Sequence, residues 1–316
     1  MNNAHTDGAR GRIAHHGRGG ELFVIFIVNL LLKIITFGIY QFWAKTRIRR
    51  YLWSQTSFDG ERLEYTGTGL ELFLGFLKAV AIMFLVAIAA SILTAVAGPV
   101  GFVALVVVYV LGFPVLAGAA RFAATRYRFS RTRLRSIRFG LVGSAWSHGF
   151  LMMGLGLLSL LTLGLYTPFA RMKLAGNVLN NTYYGSERFR FHGKGSDLFL
   201  PFLLALLLTV PTLGLVWLWY RASEFRYVAS QLEAGELRFE VTQSPFGLAV
   251  FFLTNVLIVI VTLGLGLPWV MVRTIRHIGE TMEVTGELDY QRIMQEQRES
   301  EAVGEGFAEA LDVGAI

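Results

Sequence analysis

The residue most suggestive of chemistry is Lys33, a basic side chain inside the mostly apolar stretch from Glu21 to Lys45. Asn29 lies four residues before it and Thr36 three residues after it, so the three side chains share one face of a helix. An ammonium group near the middle of a bilayer costs about 2.5–3.5 kcal/mol on insertion scales, so it requires a polar partner or a water-filled cavity. The stripe predicts either a path for a substrate or ion, or a set of interhelical hydrogen bonds.

A matching polar pair occurs near the end of the chain. Asn255 precedes Thr262 by seven residues, as Asn29 precedes Thr36. We expect Lys33 to point towards other helices, with Asn255 and Thr262 as its first partners. The predicted polar path therefore comprises Asn29, Lys33, Thr36, Asn255 and Thr262.

Arginines mixed with large apolar residues follow the first apolar stretch, between Thr46 and Ser54. This composition is typical of a helix that lies at the level of the lipid headgroups, and the alternative is a solvated linker helix. A second dense basic cluster extends from Arg121 to Arg138. The predicted contacts to anionic lipid are Lys45, Arg47, Arg49, Arg50, Arg126, Arg128 and Arg131.

Motifs for catalysis and cofactor binding are missing from the sequence. The chain has no cysteine, and its six histidines lack the HExxH spacing of a zinc site. Its Gly-x-Gly turns lack the Gly-Lys-Ser/Thr ending of a phosphate-binding loop, and no serine-nucleophile motif occurs. We therefore expect no enzymatic activity, cofactor or metal. Membrane topology and anionic lipid explain the net charge of +7 better than nucleic acid does.

The apolar residues are concentrated in six blocks, each about as long as a bilayer crossing requires. The blocks are residues 21–44, 70–97, 100–120, 147–170, 197–220 and 247–272. With 54% hydrophobic and 16% charged residues, the chain of 316 residues is too apolar for an ordinary soluble protein. Gly98 and Pro99 separate the second and third blocks so closely that these two should form an antiparallel helical hairpin. The composition predicts an α-helical polytopic membrane protein with about six transmembrane helices.

Two motifs recur along the chain at a spacing of about 50 residues. The first is Thr-x-Gly, which occurs at 36–38, 162–164, 212–214 and 262–264. The second is a short alternating segment and a glycine turn before an acidic residue and Leu-Phe, as at Glu71 and Asp197. The two motifs stay in step, which indicates an internal repeat of a membrane helix, a basic amphipathic segment and a short β-like segment. We expect an N-terminal tail at 1–20, a repeat-built membrane domain at 21–277 and an acidic, disordered or weakly helical tail at 278–316.

Six crossings would place both termini on one side of the membrane and alternate linkers on opposite sides. Lys and Arg are then divided fifteen against twelve, so the positive-inside rule does not orient the chain. Re-entrant blocks would put every linker on one side, but only seven residues separate Gly38 from Lys45, which is too short for a returning arm. With spanning helices, the β-like runs at 62–66, 188–192 and 237–241 cannot all meet in one sheet.

The first eighty residues contain the run ELF-x5-N-x6-T-x-GIY-x-FWAKTRIRRYLW, followed by FDG-x3-EYTGTG-x-ELF-x-GF. This segment resembles the YjgN-like family of bacterial inner-membrane proteins, a domain of unknown function. The match is dense over 21–76 and extends more loosely to about residue 277. The resemblance implies a multi-pass protein of the bacterial inner membrane, and it implies no activity.

Two functions fit these observations. One is a transporter or channel of unknown small-molecule or ion substrate, whose repeats surround the polar path near Lys33. The other is a structural or lipid-interacting envelope protein, whose basic amphipathic segments bind anionic headgroups. Membrane lipid is the expected partner in both cases, nucleic acid is not, and a homo-oligomer is an open alternative.

Overall fold

The chain is built from five units, each containing a pair of helices or helical arms joined to short strands. The computed structural model describes residues 13–293, apart from the side chains at 82, 83 and 104. Its helices are α1 Gly19–Ile35, α2 Gln41–Ser54, α3 Gly69–Ser130, α4 Ala145–Leu161, α5 Thr167–Leu179, α6 Phe199–Leu207, α7 Val216–Ser230, α8 Pro245–Val261 and α9 Leu267–Thr281. Its strands are β1 Ile13–His15, β2 Thr56–Phe58, β3 Glu61–Tyr65, β4 Thr132–Leu134, β5 Ile137–Leu141, β6 Thr182–Tyr184, β7 Glu187–Phe191, β8 Leu232–Ala234, β9 Leu237–Val241 and β10 Met282–Thr285.

Four units reverse direction at the Thr-x-Gly motif. The residue between Thr and Gly has a φ of 49° or 50°, and the glycine has a φ between 82° and 90°. Two successive residues with positive φ turn the chain sharply. A residue with a side chain, such as leucine, is strained at positive φ, whereas glycine is not. The strained residues are Phe37, Leu163, Leu213 and Leu263. The helices on either side of each turn pack against each other as an antiparallel hairpin.

Helix α3 forms the fifth hairpin, because Gly98 interrupts it with a φ of 56° and a ψ of −134° directly before Pro99. The carboxylate of Glu71 at its start accepts hydrogen bonds from Tyr127 and Arg131 at its end. A straight helix would hold Glu71 and Tyr127 about 84 Å apart. The two arms therefore run antiparallel, as the sequence predicts.

The strands of all five units meet in one antiparallel sheet of ten strands, ordered β1 to β10 as they occur in the chain. Within a unit, tight turns pair the two strands, as Asp59 and Gly60 do between β2 and β3. Between units, the longer strand of one pairs with the short strand of the next, as Leu63 does with Leu134. The sheet bends into an almost complete ring, because β1 and β10 both contact α9, and α9 also packs on α1.

This architecture contradicts the predicted α-helical polytopic fold with about six transmembrane helices. Among the described residues, two helical segments are long and apolar enough to cross a bilayer, Gly69–Val103 and Leu105–Ser130, both within α3. Helices α1, α4 and α8 have 17 residues each. At 1.5 Å per residue they reach about 26 Å, short of the roughly 30 Å of a hydrocarbon core. Each predicted apolar block contained not only one of these helices but also the apolar turn and the start of the next helix. The length of the block therefore overestimated the length of the helix.

The argument against re-entrant blocks is also wrong, because it ended the returning arm at Lys45. The returning arm is the whole of α2, whose 14 residues include the basic segment Thr46–Ser54. The two arms of the hairpin are therefore well matched, with 17 and 14 residues. In consequence the three β-like runs overlap β3, β7 and β9 of one sheet, an arrangement that six alternating crossings would forbid.

The described part of the predicted acidic tail belongs to the sheet and its core. Met282–Thr285 forms β10 and pairs with β9. Ile293 is fully buried and packs against Tyr184 of β6. The remainder of the predicted terminal regions, 1–12 and 294–316, lies outside the described residues.

Candidate membrane-binding surface

The turns of the four short hairpins carry apolar side chains that are almost fully exposed. The exposed fractions are 98% for Phe37, 91% for Leu163, 93% for Leu213 and 92% for Leu263. Because each hairpin begins and ends at the sheet, each turn lies at the end farthest from the sheet. We call these four residues the apolar tips. Exposed apolar residues at four equivalent turns indicate a surface that contacts lipid or another apolar phase.

The threonine of each Thr-x-Gly motif stabilises its turn. The Thr36 hydroxyl donates to the Leu32 carbonyl at 2.7 Å and accepts the Tyr40 N–H at 3.0 Å. The Thr262 hydroxyl makes the two equivalent bonds of its own turn at 2.6 and 2.8 Å. The hydroxyl thus satisfies an N–H at the start of the second helix, which has no helical partner. Two residues of the predicted polar path therefore have a structural role, and the path itself stays a prediction.

Lys33 lies five residues before Gly38, and Lys45 lies seven residues after it. In an antiparallel hairpin the two positions are at similar distances from the turn, about 8–10 Å. The expectation that Lys33 occupies the bilayer centre depended on a spanning helix, and the 17 residues of α1 are too few to support that premise. Lys33 is half-buried, and its ammonium group makes no hydrogen bond or ion pair with other residues in the range 13–293.

Asn29 and Asn255 are buried, with 1% and 7% of their surface exposed. The Asn29 amide donates to the Ala44 carbonyl at 3.5 Å, within its own hairpin. The Asn255 amide donates to the Thr274 hydroxyl at 3.2 Å, and its carbonyl accepts from Arg273 at 3.1 Å. Both amides therefore join the two helices of one hairpin, and their described hydrogen bonds do not reach Lys33.

The cations predicted to contact lipid lie on α2 and at the end of α3. Arg47 and Arg49 donate to tyrosine hydroxyls at 3.2 Å, and Arg128 donates to a threonine hydroxyl at 3.0 Å. Lys45 is exposed. Arg131 differs, because it forms an ion pair of 2.7 Å with a carboxylate at the start of α3. Bonds to neutral hydroxyls leave a positive charge uncompensated, so the first four residues retain charge that an anionic headgroup can neutralise.

Arg50 and Arg126 belong to a repeated contact that the sequence analysis missed. Each donates at 3.3 Å to the carbonyl of the glycine turn that follows its own pair of strands, at Gly67 and Gly143. Two further arginines bond to the end of a strand or to the turn after it: Arg226 donates to the Val241 carbonyl at the end of β9 at 3.2 Å, and Arg276 donates to the Gly17 carbonyl after β1 at 2.9 Å. The available signal was Arg followed by Tyr at 126–127 and again 100 residues later at 226–227. These arginines stabilise the joint between helix and sheet.

The residue after each arginine closes the base of its hairpin. The Tyr51 hydroxyl donates to the carboxylate of Glu21 at 2.9 Å, and the Tyr227 hydroxyl donates to that of Asp197 at 2.5 Å. The hydrogen bond from Tyr227 lowers the pKa of the Asp197 carboxyl. His277 occupies the equivalent position in the last unit and bonds to Gln243, two residues before α8 begins. The acidic residues Glu21 and Asp197, near the start of the first helix of their hairpins, thus accept hydrogen bonds from the second helix of the same hairpin.

Glu224 is a buried carboxylate, with 6% of its surface exposed. It forms ion pairs with Arg171 of the neighbouring unit and with Arg221 of its own helix, the latter at 3.0 Å. Burial raises the pKa of the Glu224 carboxyl, and the charge of Arg171 opposes this shift. No sequence motif marked Glu224, because its partner Arg171 lies 53 residues away in the chain.

On the second helix of each short hairpin, the basic residues nearest the tip occur at fixed distances from the turn. They lie seven or nine residues after the turn glycine, which is about 10–14 Å along the second helix. We call this set the cation belt, and its members are Lys45, Arg47, Arg171, Lys173, Arg221 and Arg273. Since all strands lie in one sheet, the described linkers lie on one side of this belt. Their positive charge is therefore no longer divided between two faces, as the six-crossing topology required.

The chain was compared with known proteins. A model of a bacterial protein family of unknown function, DUF898, matches residues 10–215 and 202–310. The Inner membrane protein YjgN of Escherichia coli (strain K12) is 32% identical over 154 residues, which cover 49% of this chain and 36% of that protein. The protein of the same name from Salmonella typhimurium is 38% identical over 79 residues, covering 24% of this chain and 20% of its own length.

The matched part of the chain thus spans about a third or less of these curated relatives. No solved structure matches the chain significantly. The relatives are named as inner-membrane proteins, and this supports an inner-membrane location for the chain. Because the family model covers most of its length, the chain belongs to the DUF898 family of bacterial proteins of unknown function, as its resemblance to the YjgN-like proteins predicts.

Proposed function

We propose that this protein is a lipid-interacting structural protein of the inner membrane, which inserts four hairpins into one leaflet and spans the bilayer with the fifth. The observation that carries the proposal is the exposure of all four apolar tips, each above 90%. In water, four such side chains would remain unfavourably hydrated, and burying each in acyl chains contributes about 1.5–3 kcal/mol. The lipid phase is the simplest environment that stabilises all four at once.

The cation belt supports a shallow depth of insertion. With the belt at the headgroups, the apolar tips extend about 10–14 Å into the hydrocarbon, within the roughly 15 Å of a single leaflet. The four short hairpins would then enter and leave through the same surface. Lys33 lies close to the belt, so its ammonium can reach the headgroup layer.

Helix α3 supports a deeper anchor. No charged residue occurs between Lys78 and Arg121. Gly98 lies 20 residues after Lys78, so one arm reaches about 30 Å beyond it, the thickness of the hydrocarbon core. The described linkers share the sheet side, and the positive-inside rule places that side in the cytoplasm. Transport along a polar path near Lys33 has no equivalent support, because the two buried amides of that path bond within their own hairpins.

Because the chain contains no cysteine, a cysteine introduced by mutation is the single site for a thiol-reactive label. Single cysteines at the tips, Leu163→Cys, Leu213→Cys and Leu263→Cys, would carry an environment-sensitive fluorophore in the full chain reconstituted into vesicles. Arg62→Cys, on an exposed strand position, is the matched control. We expect lipids brominated on the acyl chains to quench the three tip labels strongly and the control label little.

The same variants test the sidedness of the hairpins. We expect a membrane-impermeant maleimide added to the far side of the membrane to label none of the tips before detergent is added. Tip labels quenched by aqueous iodide, or tips labelled from the far side, would overturn the one-leaflet insertion.

A further inference from the structure

A cavity of about 370 Å³ lies inside the ring of strands, and its wall is almost entirely apolar. The third residue of each five-residue strand lines it, and β1 contributes the corresponding position. These residues are Ile13, Leu63, Phe139, Phe189 and Phe239. The helix side is closed by residues of α7 such as Phe225, and Leu288 adds to the wall. We call this space the axial cavity.

The alternation of the strands explains why the cavity is apolar. Side chains two residues apart share a face of a strand, and their neighbours face the other way. Accordingly Arg62 and Arg188, beside Leu63 and Phe189, are exposed on the outside of the ring. The fifth residues, such as Phe191 and Val241, are buried in clusters with the helices. The axial cavity is therefore a product of the same pattern in every unit and not a single packing defect.

Of the described residues that line the axial cavity, one is charged, Glu187, and its carboxylate forms an ion pair with Arg292. The cavity adjoins a second space, of about 990 Å³, where β1 and β10 are not paired. The two spaces share Ile13, Ser57 and Met282 as walls. The wall of the second space is mixed, with apolar residues beside the titratable side chains of His15, His16, Arg276, Glu280 and Glu283.

We propose that the axial cavity binds one hydrocarbon chain of a single-chain amphiphile, whose polar end lies in the second space, beside the charged side chains between β1 and β10. A volume of 370 Å³ is within the range of small-molecule sites, roughly 300–1,000 Å³. It holds about a dozen methylene groups, if each takes roughly the 30 Å³ of a water molecule. Water is a poor occupant, because an apolar wall offers it no hydrogen-bond partners. An empty cavity loses the van der Waals contacts that its wall residues could make, and an apolar ligand restores them.

The protein's own chain is a poorer match for the axial cavity. The residues that precede Ile13 are Arg10, Gly11 and Arg12, and the described segment is followed by Met294 and then by Gln, Glu, Gln and Arg at 295–298. A charged segment would lose its hydration in an apolar cavity without gaining a partner. The inference concerns the interior of the ring and does not depend on the insertion of the apolar tips.

The test uses the full chain in phosphatidylcholine nanodiscs with a palmitic acid analogue that carries a diazirine near the end of its chain. Mass spectrometry after irradiation should locate adducts in the peptides that contain Leu63, Phe139 and Phe189. Excess palmitate should remove these adducts. Adducts confined to the tips and to α3 would show contact with annular lipid only and would overturn the proposal.

Leu63→Trp fills the axial cavity and should reduce the axial adducts at least tenfold. Arg62→Trp puts the same side chain on the outer face of the same strand and should leave them unchanged. If Leu63→Trp does not fold, Ala234→Phe fills the cavity from β8, where Ala234 is also buried in the wall. An equal loss in the filling variant and the control would refute the site. Axial adducts that appear only after the chain is shortened to residue 293 would identify the protein's own C-terminal segment as the occupant and refute an amphiphile.

Discussion

Replacing Thr262 with valine tests the role of the threonine hydroxyl in the Thr-x-Gly turns. In the structure this hydroxyl donates to the Ile258 carbonyl at 2.6 Å and accepts the Gly266 N–H at 2.8 Å. Valine keeps the shape but removes the acceptor, so the N–H of Gly266, a buried residue, is left without a partner. A buried unsatisfied donor costs about 1–3 kcal/mol. For a protein of this size that corresponds to a fall in Tm of roughly 2–10 °C.

The measurement is thermal unfolding of the purified protein in detergent, followed by circular dichroism. Thr262→Ser retains the hydroxyl and should recover most of the lost stability. Thr254→Val, in the same helix, is the matched control, because the Thr254 hydroxyl only donates to the Phe251 carbonyl and satisfies no N–H. We expect a change in Tm of under about 2 °C for this control. A Thr262→Val protein as stable as the control, or a Thr262→Ser protein as unstable as the valine variant, would refute the assigned role.

Three further predictions concern charged side chains. Glu224→Gln should lower the free energy of unfolding, measured with urea, by about 1–3 kcal/mol. The expected loss is smaller than for a fully buried ion pair, because Arg171 and Arg221 are partly exposed to water. The hydrogen bond from Tyr227 lowers the pKa of the Asp197 carboxyl, so the ionised carboxylate stabilises the folded state. This stabilisation is lost as the pH falls through the lowered pKa. The Tm of the natural protein should therefore fall more steeply below about pH 4 than that of Asp197→Asn, and equal slopes would contradict this. Lys33→Met should leave the Tm within about 2 °C, because Lys33 forms no ion pair in the described chain, whereas a large loss would indicate a partner.

Much of the local structure was predictable from the sequence. The apolar blocks marked every helix that begins at a glycine turn, and Gly98 with Pro99 marked the reversal within α3. Thr-x-Gly marked the position of each break. It did not show that the chain turns back, because a glycine in an apolar run also serves close packing. Only the positive φ of Phe37 and its equivalents converts the motif into a reversal.

The candidate sites depended more on tertiary structure. The cation belt follows from spacing, since Lys45, Arg171 and Arg221 each lie seven residues after a glycine. By contrast, the partner of Glu224 is 53 residues away, and the bond from Arg276 to the Gly17 carbonyl joins opposite ends of the chain. Neither contact has a local pattern that sequence analysis can detect.

The sequence by itself determined the period of the units, the composition of each segment and the position of each turn, because these depend on residues close together in the chain. The tertiary structure decided the direction of the chain after each turn, the closure of the sheet and the existence of the axial cavity. Strands of three to five residues cannot form alone, and each is stabilised by hydrogen bonds to a strand of another unit, as Leu63 is opposite Leu134. Hydropathy measures how apolar a segment is. It does not distinguish a segment that crosses a bilayer from one that enters the bilayer and returns to the same side.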